Sequence, residues 1–145
     1  MIRANFHYIF KEVCNKWDQL TFKKGENDKE GTFTFTANIV AEDYFDDSIL
    51  FRVELDEQGR MDTDFIFDKI QPSLSAYTLI NDLNNNIYGL KAYINDKGYL
   101  CLSEEEYRFF NEDEAIDEIS NILNYLLNDR VLRYLQPLTE LTVSE

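Results

Sequence analysis

The chain has 145 residues, of which 44% are apolar, and its 28 acidic and 14 basic residues give a net charge of −14. This length fits one domain with one core, and the 11 Phe and 9 Tyr exclude a disordered chain. The negative charge argues against nucleic acid and anionic membranes as partners, because phosphate groups would be repelled.

Hydropathy and cysteine spacing indicate the cellular compartment in which the protein is expected. No apolar run approaches the about 18 residues of a membrane-spanning helix, and the first residues lack the apolar centre of a signal peptide. The two cysteines, Cys14 and Cys101, lie far apart and outside any metal or redox motif. We therefore expect a cytoplasmic protein with reduced thiols and no cofactor.

The first half of the chain changes from helical to strand periodicity. Apolar residues recur at steps of three and four from Ile2 to Leu20, which predicts an amphipathic helix. The polar stretch from Lys23 to Gly31 predicts a loop. Three segments with period-two alternation follow and predict an antiparallel meander with one wet face. The core-facing sets are Phe33, Phe35, Ala37 and Ile39, then Ile49, Phe51, Val53 and Leu55, then Met61, Thr63, Phe65 and Phe67.

The second half predicts a helix, a hairpin and a longer helix. Pro72 favours a helix start, and that helix is expected to end near Leu83, at the three asparagines that follow. The alternation from Leu90 to Leu102 around Asp96-Lys97-Gly98 predicts a hairpin, with an acidic end at Glu104-Glu105-Glu106. Asn111 and Glu114 resemble a capping box that begins a helix reaching Leu135.

The order of these elements defines a fold class. It predicts a single α+β domain over residues 1–137, with a five-stranded antiparallel sheet in the order helix, three strands, helix, two strands, helix. The helices are expected to cover one face of the sheet. Pro137 cannot continue the last helix, so residues 138–145 are predicted to form a loose tail.

This order resembles the type III secretion chaperone-like fold, and the C-terminal half resembles the YbjN family of proposed sensory-transduction regulators. The segments that carry the resemblance are the helix from Pro72 to Leu83, the hairpin from Leu90 to Leu102, and the amphipathic helix that ends in Leu135-Gln136-Pro137-Leu138. The resemblance implies a non-enzymatic binding fold that is often a homodimer. It carries over no functional residue.

The residues that usually carry chemistry are sparse. His7 is the single histidine, and no metalloprotease or serine hydrolase motif surrounds it. Neither cysteine has a base nearby in sequence, and Gly25 and Gly31 are too far apart to form a phosphate-binding loop. We therefore expect no enzyme activity and no catalytic residue.

Two groups of carboxylates leave a metal site open as an alternative. Asp62, Asp64 and Asp68 share one face of a predicted strand, where oxygen ligands could hold Mg²⁺ or Ca²⁺. Calcium-loop spacing and its central glycine are absent, so a solvated outer face is the preferred interpretation. The acidic loop with Glu42, Asp43, Asp46 and Asp47 has the same two interpretations.

Four apolar residues fall on the face that is otherwise polar, namely Val40, Leu50, Ile66 and Tyr93. Helices on one face of the sheet leave the other face uncovered, so these residues predict a contact surface. The first hypothesis is therefore a non-enzymatic protein-binding module, chaperone-like or regulatory and homodimeric. The alternatives are an acidic mimic of nucleic acid that blocks a DNA-binding protein, and a carboxylate-based metal-dependent enzyme.

Overall fold

The computed structural model describes residues 4–25, 31–45 and 47–141, apart from the side chain of Glu105. It is an α+β protein with an open antiparallel sheet. The described helices are α1 (Phe6–Lys16), α2 (Leu74–Asn86), α3 (Glu112–Leu126) and α4 (Asp129–Leu135), followed by a 3₁₀ helix at Gln136–Glu140. The described strands are β1 (Thr21–Lys24), β2 (Thr32–Ile39), β3 (Ile49–Asp56), β4 (Arg60–Lys69), β5 (Lys91–Ile94) and β6 (Tyr99–Arg108).

The described strands form one sheet in the order β1-β2-β3-β4-β6-β5, and every neighbouring pair is antiparallel. The turns predicted at Asp56–Gly59 and Asp96–Gly98 join β3 to β4 and β5 to β6. Gly59 and Gly98 adopt φ values of 80° and 92°, which explains why glycine ends both turns. The three-stranded meander and the later hairpin are thus confirmed.

One face of the sheet is buried, because the apolar side chains of each strand share one parity. Phe35, Phe51 and Phe65 are fully buried, and the predicted core sets join one cluster with residues from all four helices. The Phe10 ring of α1 meets the Phe35 ring edge-on with centroids 5.2 Å apart. The opposite parity, which we call the open face, is half-buried or exposed along β2 and β3.

Side-chain caps define the starts of the helices. Asn111 Oδ1 accepts a hydrogen bond from the Glu114 backbone N–H at 3.0 Å, as the capping pair predicted. Glu114 Oε2 in turn accepts from the backbone N–H of Phe110 at 2.9 Å. Among the described helices, none is long and apolar enough to cross a membrane.

The prediction for the first 31 residues was partly wrong. The helix predicted over Ile2–Leu20 spans only Phe6–Lys16, and residues 1–3 lie outside the described part. The loop predicted from Lys23 begins with β1, which pairs with β2 at Lys23↔Thr36 and Lys24↔Phe35. The described sheet therefore has six strands rather than five. The segment Thr21–Lys24 forms a strand because it pairs with β2, although its two lysines do not indicate a strand in the sequence. Residues 26–30 of that loop lie outside the described part.

Four boundaries in the second half also differ from the prediction. Helix α2 continues through all three asparagines to Asn86, and β6 continues through its three glutamates to Arg108. The long last helix is broken at Asn128, whose side chain caps α4 by accepting from the Arg130 N–H. Leu138 is 1% exposed, so the tail predicted from residue 138 begins with a core residue, while residues 142–145 lie outside the described part.

Candidate functional site

Three of the four predicted contact residues lie side by side on the open face. Leu50 is opposite Ile66, Ile66 is opposite Cys101, and Cys101 is opposite Tyr93 across β3, β4, β6 and β5. We call Leu50, Ile66 and Tyr93 the apolar row, and Cys101 lies between Ile66 and Tyr93. Leu50, Ile66 and Tyr93 are half-buried, and Cys101 between them is 2% exposed. Val40 follows the end of β2 and is 62% exposed, so it lies outside this cross-strand row.

A polar row, formed by Arg52, Asp64 and Ser103, runs across the same strands beside the apolar row. Each of its residues is two positions from Leu50, Ile66 or Cys101 on the same strand. Arg52 is opposite Asp64, and Asp64 is opposite Ser103. Arg52 Nη2 donates to Glu54 Oε2 at 2.9 Å, and Arg52 Nη1 lies 3.6 Å from Asp64 Oδ2. The Ser103 hydroxyl donates to Asp64 and lies 3.0 Å from the hydroxyl of Tyr93. Tyr93 therefore links the two rows, and the polar groups in the middle of the face already have partners.

Charges on the open face are nearly balanced. At the end of the face near the Asp56–Gly59 turn, Arg60 Nε lies 3.1 Å from Asp56 Oδ2, and Arg108 Nη2 lies 3.1 Å from Glu106 Oε1. Burial raises the pKa of Asp62, and repulsion from Glu54 and Glu106 raises it further. By strand register and ion pairing, the described charges on this face include Glu54, Asp56, Asp62, Asp64, Asp68 and Glu106 against Lys23, Arg52, Arg60, Lys69, Lys91 and Arg108.

The described carboxylates considered for a metal have other neighbours. Asp64 is held by Arg52 and Ser103, and burial and then the charge of Asp47 raise the pKa of Asp68. Among the described residues, no group of three or more His, Cys, Asp and Glu side chains is placed to hold a metal ion. In the acidic loop, Glu42, Asp43 and Asp47 are exposed, and Asp46 lies outside the described residues.

His7 contacts side chains of β1 and β2. Its ring meets the Phe33 ring edge-on with centroids 5.2 Å apart, and its Nδ1 lies 2.8 Å from Lys24 Nζ. These contacts join the start of α1 to β1 and β2. Cys14 is half-buried on α1, and burial raises the pKa of its thiol. A buried environment of this kind makes a thiol less reactive rather than more reactive.

Two polar residues form a pair on the buried face of the sheet, of which Thr63 was predicted to face the core and Glu104 was not. Thr63 and Glu104 lie opposite each other on β4 and β6, and Thr63 is 1% exposed. One extra residue of β6 stands between the pairs Thr63↔Glu104 and Met61↔Tyr107, which is a β-bulge. Thr63 Oγ1 and Glu104 Oε1 are both buried and have no hydrogen-bond partner. A signal for this pair existed, because Thr63 and Glu104 are polar residues at apolar parity in their strands.

A cavity of about 630 Å³ lies beside this bulge. The loop from Ile87 to Lys91 forms one wall, and β6 forms the other with Glu104, Glu106 and Tyr107. Burial, together with the charge of Glu118, raises the pKa of Glu104 to about 8. A carboxyl group with that pKa is mostly protonated at pH 7 when the cavity is empty.

Negative charge is concentrated around the same cavity. Residues 104–118 contain eight carboxylates against one arginine, which is half of the net charge of −14. The pKa of Tyr107 is raised by burial and then by Glu118, Glu114, Glu104 and Asp117, so these carboxylates surround its ring. Positively charged groups are therefore attracted to this end of the molecule.

Comparison with known protein families, with curated proteins and with solved structures finds no match to this chain. What its sites can do therefore follows from their geometry. The open face offers half-buried apolar residues beside paired charges, which suits contact with a protein. The cavity has aromatic and apolar walls and is lined by Glu104, of which one buried oxygen has no hydrogen-bond partner.

Proposed function

We propose that this chain is a non-enzymatic protein-binding module that acts through the open face of its sheet. The observation that supports the proposal is the apolar row, in which Leu50 on β3 lies opposite Ile66 on β4 and Tyr93 on β5 follows beyond Cys101, all on the face opposite the buried core. The resemblance of the sequence to the secretion chaperone-like fold and the YbjN family is part of the same proposal. That resemblance supports a binding role.

We propose a second copy of the chain as the occupant of this face. With a net charge of −14, most pairs of surfaces on two copies repel each other. The open face is an exception, because Arg52, Arg60 and Arg108 neutralise carboxylates on it. Two copies can therefore bring these faces together around a two-fold axis without a large repulsion.

The polar row supports the same proposal. Burying a polar group costs free energy unless it is hydrogen-bonded. Arg52, Asp64 and Ser103 already bind one another within one chain, and Ser103 lies within hydrogen-bonding distance of Tyr93. A protein that covers these residues therefore leaves few of their polar groups without a hydrogen bond. The apolar row beside them supplies the surface whose removal from water favours association.

The test is the molar mass of the protein in solution, measured by sedimentation equilibrium over a wide concentration range. We expect the wild type to dimerise and Ile66→Lys to stay monomeric, since an ammonium group in the apolar row opposes its burial. The new lysine lies between Asp64 and Asp68, so the fold should tolerate it. The matched control is Leu74→Lys on α2, where the side chain is 85% exposed. A monomeric wild type, or a dimer lost in Leu74→Lys and kept in Ile66→Lys, would contradict the proposal.

A second candidate is an acidic mimic of nucleic acid, and the concentration of charge in residues 104–118 favours it. Such a mimic would displace duplex DNA from a lysine-rich DNA-binding protein, with an affinity that falls steeply as salt rises. Asp113→Asn with Asp117→Asn should then weaken displacement more than Asp82→Asn with Asp96→Asn. Equal weakening by the two pairs would show that only net charge matters.

A further inference from the structure

The cavity beside the β6 bulge contains a recognition group that the open face does not use. Glu104 points to the same side of β6 as the core residues Leu100 and Leu102, whereas Cys101 and Ser103 point to the open face. Its Oε1 has no hydrogen-bond partner, and neither has the buried Oγ1 of Thr63 directly opposite. Burying an oxygen without a donor is unfavourable, so a ligand that donates a hydrogen bond to Glu104 is favoured.

We propose that this cavity binds a primary ammonium group on an aliphatic stem, with the Glu104 carboxylate as its anionic partner. An ammonium group has three donors and satisfies an oxygen that lacks one. Rotation about the last side-chain bond of Glu104 is soft, so either carboxylate oxygen can turn toward the ligand. This site is independent of the proposed contact through the open face.

The walls of the cavity suit the rest of such a ligand. Ile87 and Leu90 provide apolar surface for a chain of methylene groups, and the rings of Tyr88 and Tyr107 provide faces that attract cations. The volume of about 630 Å³ lies within the usual range for small-ligand sites. The carboxylates around Tyr107 disfavour anionic ligands. Lys91 also lines the cavity, and its ammonium group is a competitor when it turns inward.

The ammonium group could belong to a free amine or to a lysine side chain, and two probes distinguish these sources. The first probe is n-butylammonium, and the second is N-acetyl-lysine N-methylamide. We expect both to bind with a Kd on the order of 1 mM, as judged by NMR shifts of Gly89 and Tyr107. Tighter binding of the lysine derivative assigns the site to lysine side chains, and tighter binding of butylammonium assigns it to free amines. If neither probe shifts these signals at tens of millimolar, the proposal is wrong.

Two controls separate the specific site from general attraction by the acidic surface. The neutral probe 1-butanol has the same shape as butylammonium and should bind at least roughly tenfold more weakly, because it cannot form the charged hydrogen bond. Glu104→Gln should weaken butylammonium binding by roughly tenfold to a hundredfold. Asp113→Asn removes an exposed carboxylate of α3 that does not line the cavity, and it should change the affinity by less than about threefold. Equal losses in the two variants would overturn the proposal.

The number of protons released on binding provides a second test of the role of Glu104. The carboxyl group of Glu104 is mostly protonated in the empty cavity at pH 7, and a bound cation favours its ionised form. Binding should therefore release a proton, and affinity should rise between pH 6 and pH 8. The other titratable or charged groups near Glu104 are Glu118 on α3, Glu106 and Tyr107 on β6, Lys91 on β5, and Tyr88. Calorimetry in phosphate and in HEPES should give different heats for wild type and equal heats for Glu104→Gln. Equal heats in the wild type would contradict this role of Glu104.

Discussion

Thr63 and Glu104 face each other across β4 and β6 on the buried side of the sheet, and each has a buried oxygen without a hydrogen-bond partner. In most folds, buried polar groups have partners, and the exceptions are often found at sites of function. The β-bulge between Glu104 and Tyr107 is a second irregularity at the same place. Bulges are frequent next to functional sites because they change where side chains point.

Replacing Glu104 should change how the stability of the protein depends on pH. The folded state raises the pKa of Glu104 from 4.5 to about 8, so between these values the folded state binds more protons than the unfolded state. The free energy of unfolding must therefore fall as pH rises through this window. We expect Glu104→Gln to match the wild type near pH 4 and to have a higher free energy of unfolding at pH 8. The difference should be about 2–4 kcal/mol, since the full shift corresponds to about 4 kcal/mol at that pH and solvent screening reduces it.

This effect can be measured by urea unfolding followed through the fluorescence of Trp17, the single tryptophan. Glu106→Gln is the control, since Glu106 is ion-paired with Arg60 and Arg108. The account is contradicted if Glu104→Gln is less stable than the wild type at pH 8, or if Glu106→Gln gives the same gain.

Asn84 should stabilise the outer edge of the sheet. Its side-chain amide donates to the Ala92 carbonyl at 3.1 Å, and its Oδ1 accepts from the Ala92 N–H at 2.7 Å. The amide thus occupies the edge of β5 in the way that another strand would, which protects the edge from pairing with other chains.

We expect Asn84→Ala to lower the free energy of unfolding by about 1–2 kcal/mol, because two hydrogen bonds are lost. Asn85→Ala is the matched control, as it removes the same side chain from the next position of α2, where it is exposed. Urea midpoints of the two variants make the comparison. Equal midpoints would show that the contact between Asn84 and Ala92 contributes nothing to stability.

The two cysteines should react at different rates with a thiol reagent. Burial and then the charge of Asp64 raise the pKa of Cys101 to about 11, and its side chain lies under the apolar row. Native Cys101 should therefore be inert at pH 8, while the half-buried Cys14 reacts slowly. In a Cys14→Ser background, Tyr93→Ala should accelerate modification of Cys101 roughly tenfold or more by uncovering the thiol.

Mass spectrometry of timed samples follows this reaction, and Tyr77→Ala, at an exposed position of α2, is the control. If Cys101 reacts as fast as Cys14 in the wild-type protein, the apolar row does not cover its thiol. The same would follow if Tyr77→Ala and Tyr93→Ala had equal effects.

Local patterns predicted most of the elements, and pairing decided the rest. The alternation at Phe33–Ile39, Ile49–Leu55 and Met61–Phe67 predicted β2, β3 and β4 because each strand has one buried face. Strand β1 contains Phe22 between Thr21 and Lys23, and so short a segment becomes a strand only through its partner β2. Similarly, β6 continues past its glutamates because β4 offers a long strand to pair with.

The candidate surface was predictable in part. Alternation placed Leu50, Ile66 and Tyr93 on one face, and the turn at Asp56–Gly59 brings Leu50 opposite Ile66. The contact between Ile66 and Cys101 could not be predicted, because β4 and β6 are joined through α2 and β5 rather than by a tight turn. Glu104 was missed because three consecutive glutamates were interpreted as the end of a strand, although its parity continues that of Leu100 and Leu102.

The most direct test of the open-face proposal is to detect contacts between copies. Equal amounts of isotope-labelled and unlabelled protein are mixed, and NMR cross-peaks between the two populations are recorded at a concentration where the dimer is expected. We predict cross-peaks from the methyl groups of Leu50 and Ile66 to Leu50, Ile66 or Tyr93 of the other copy. Cross-peaks confined to Leu74 and Tyr77 on α2, or no cross-peaks at all, would contradict a function carried by the open face.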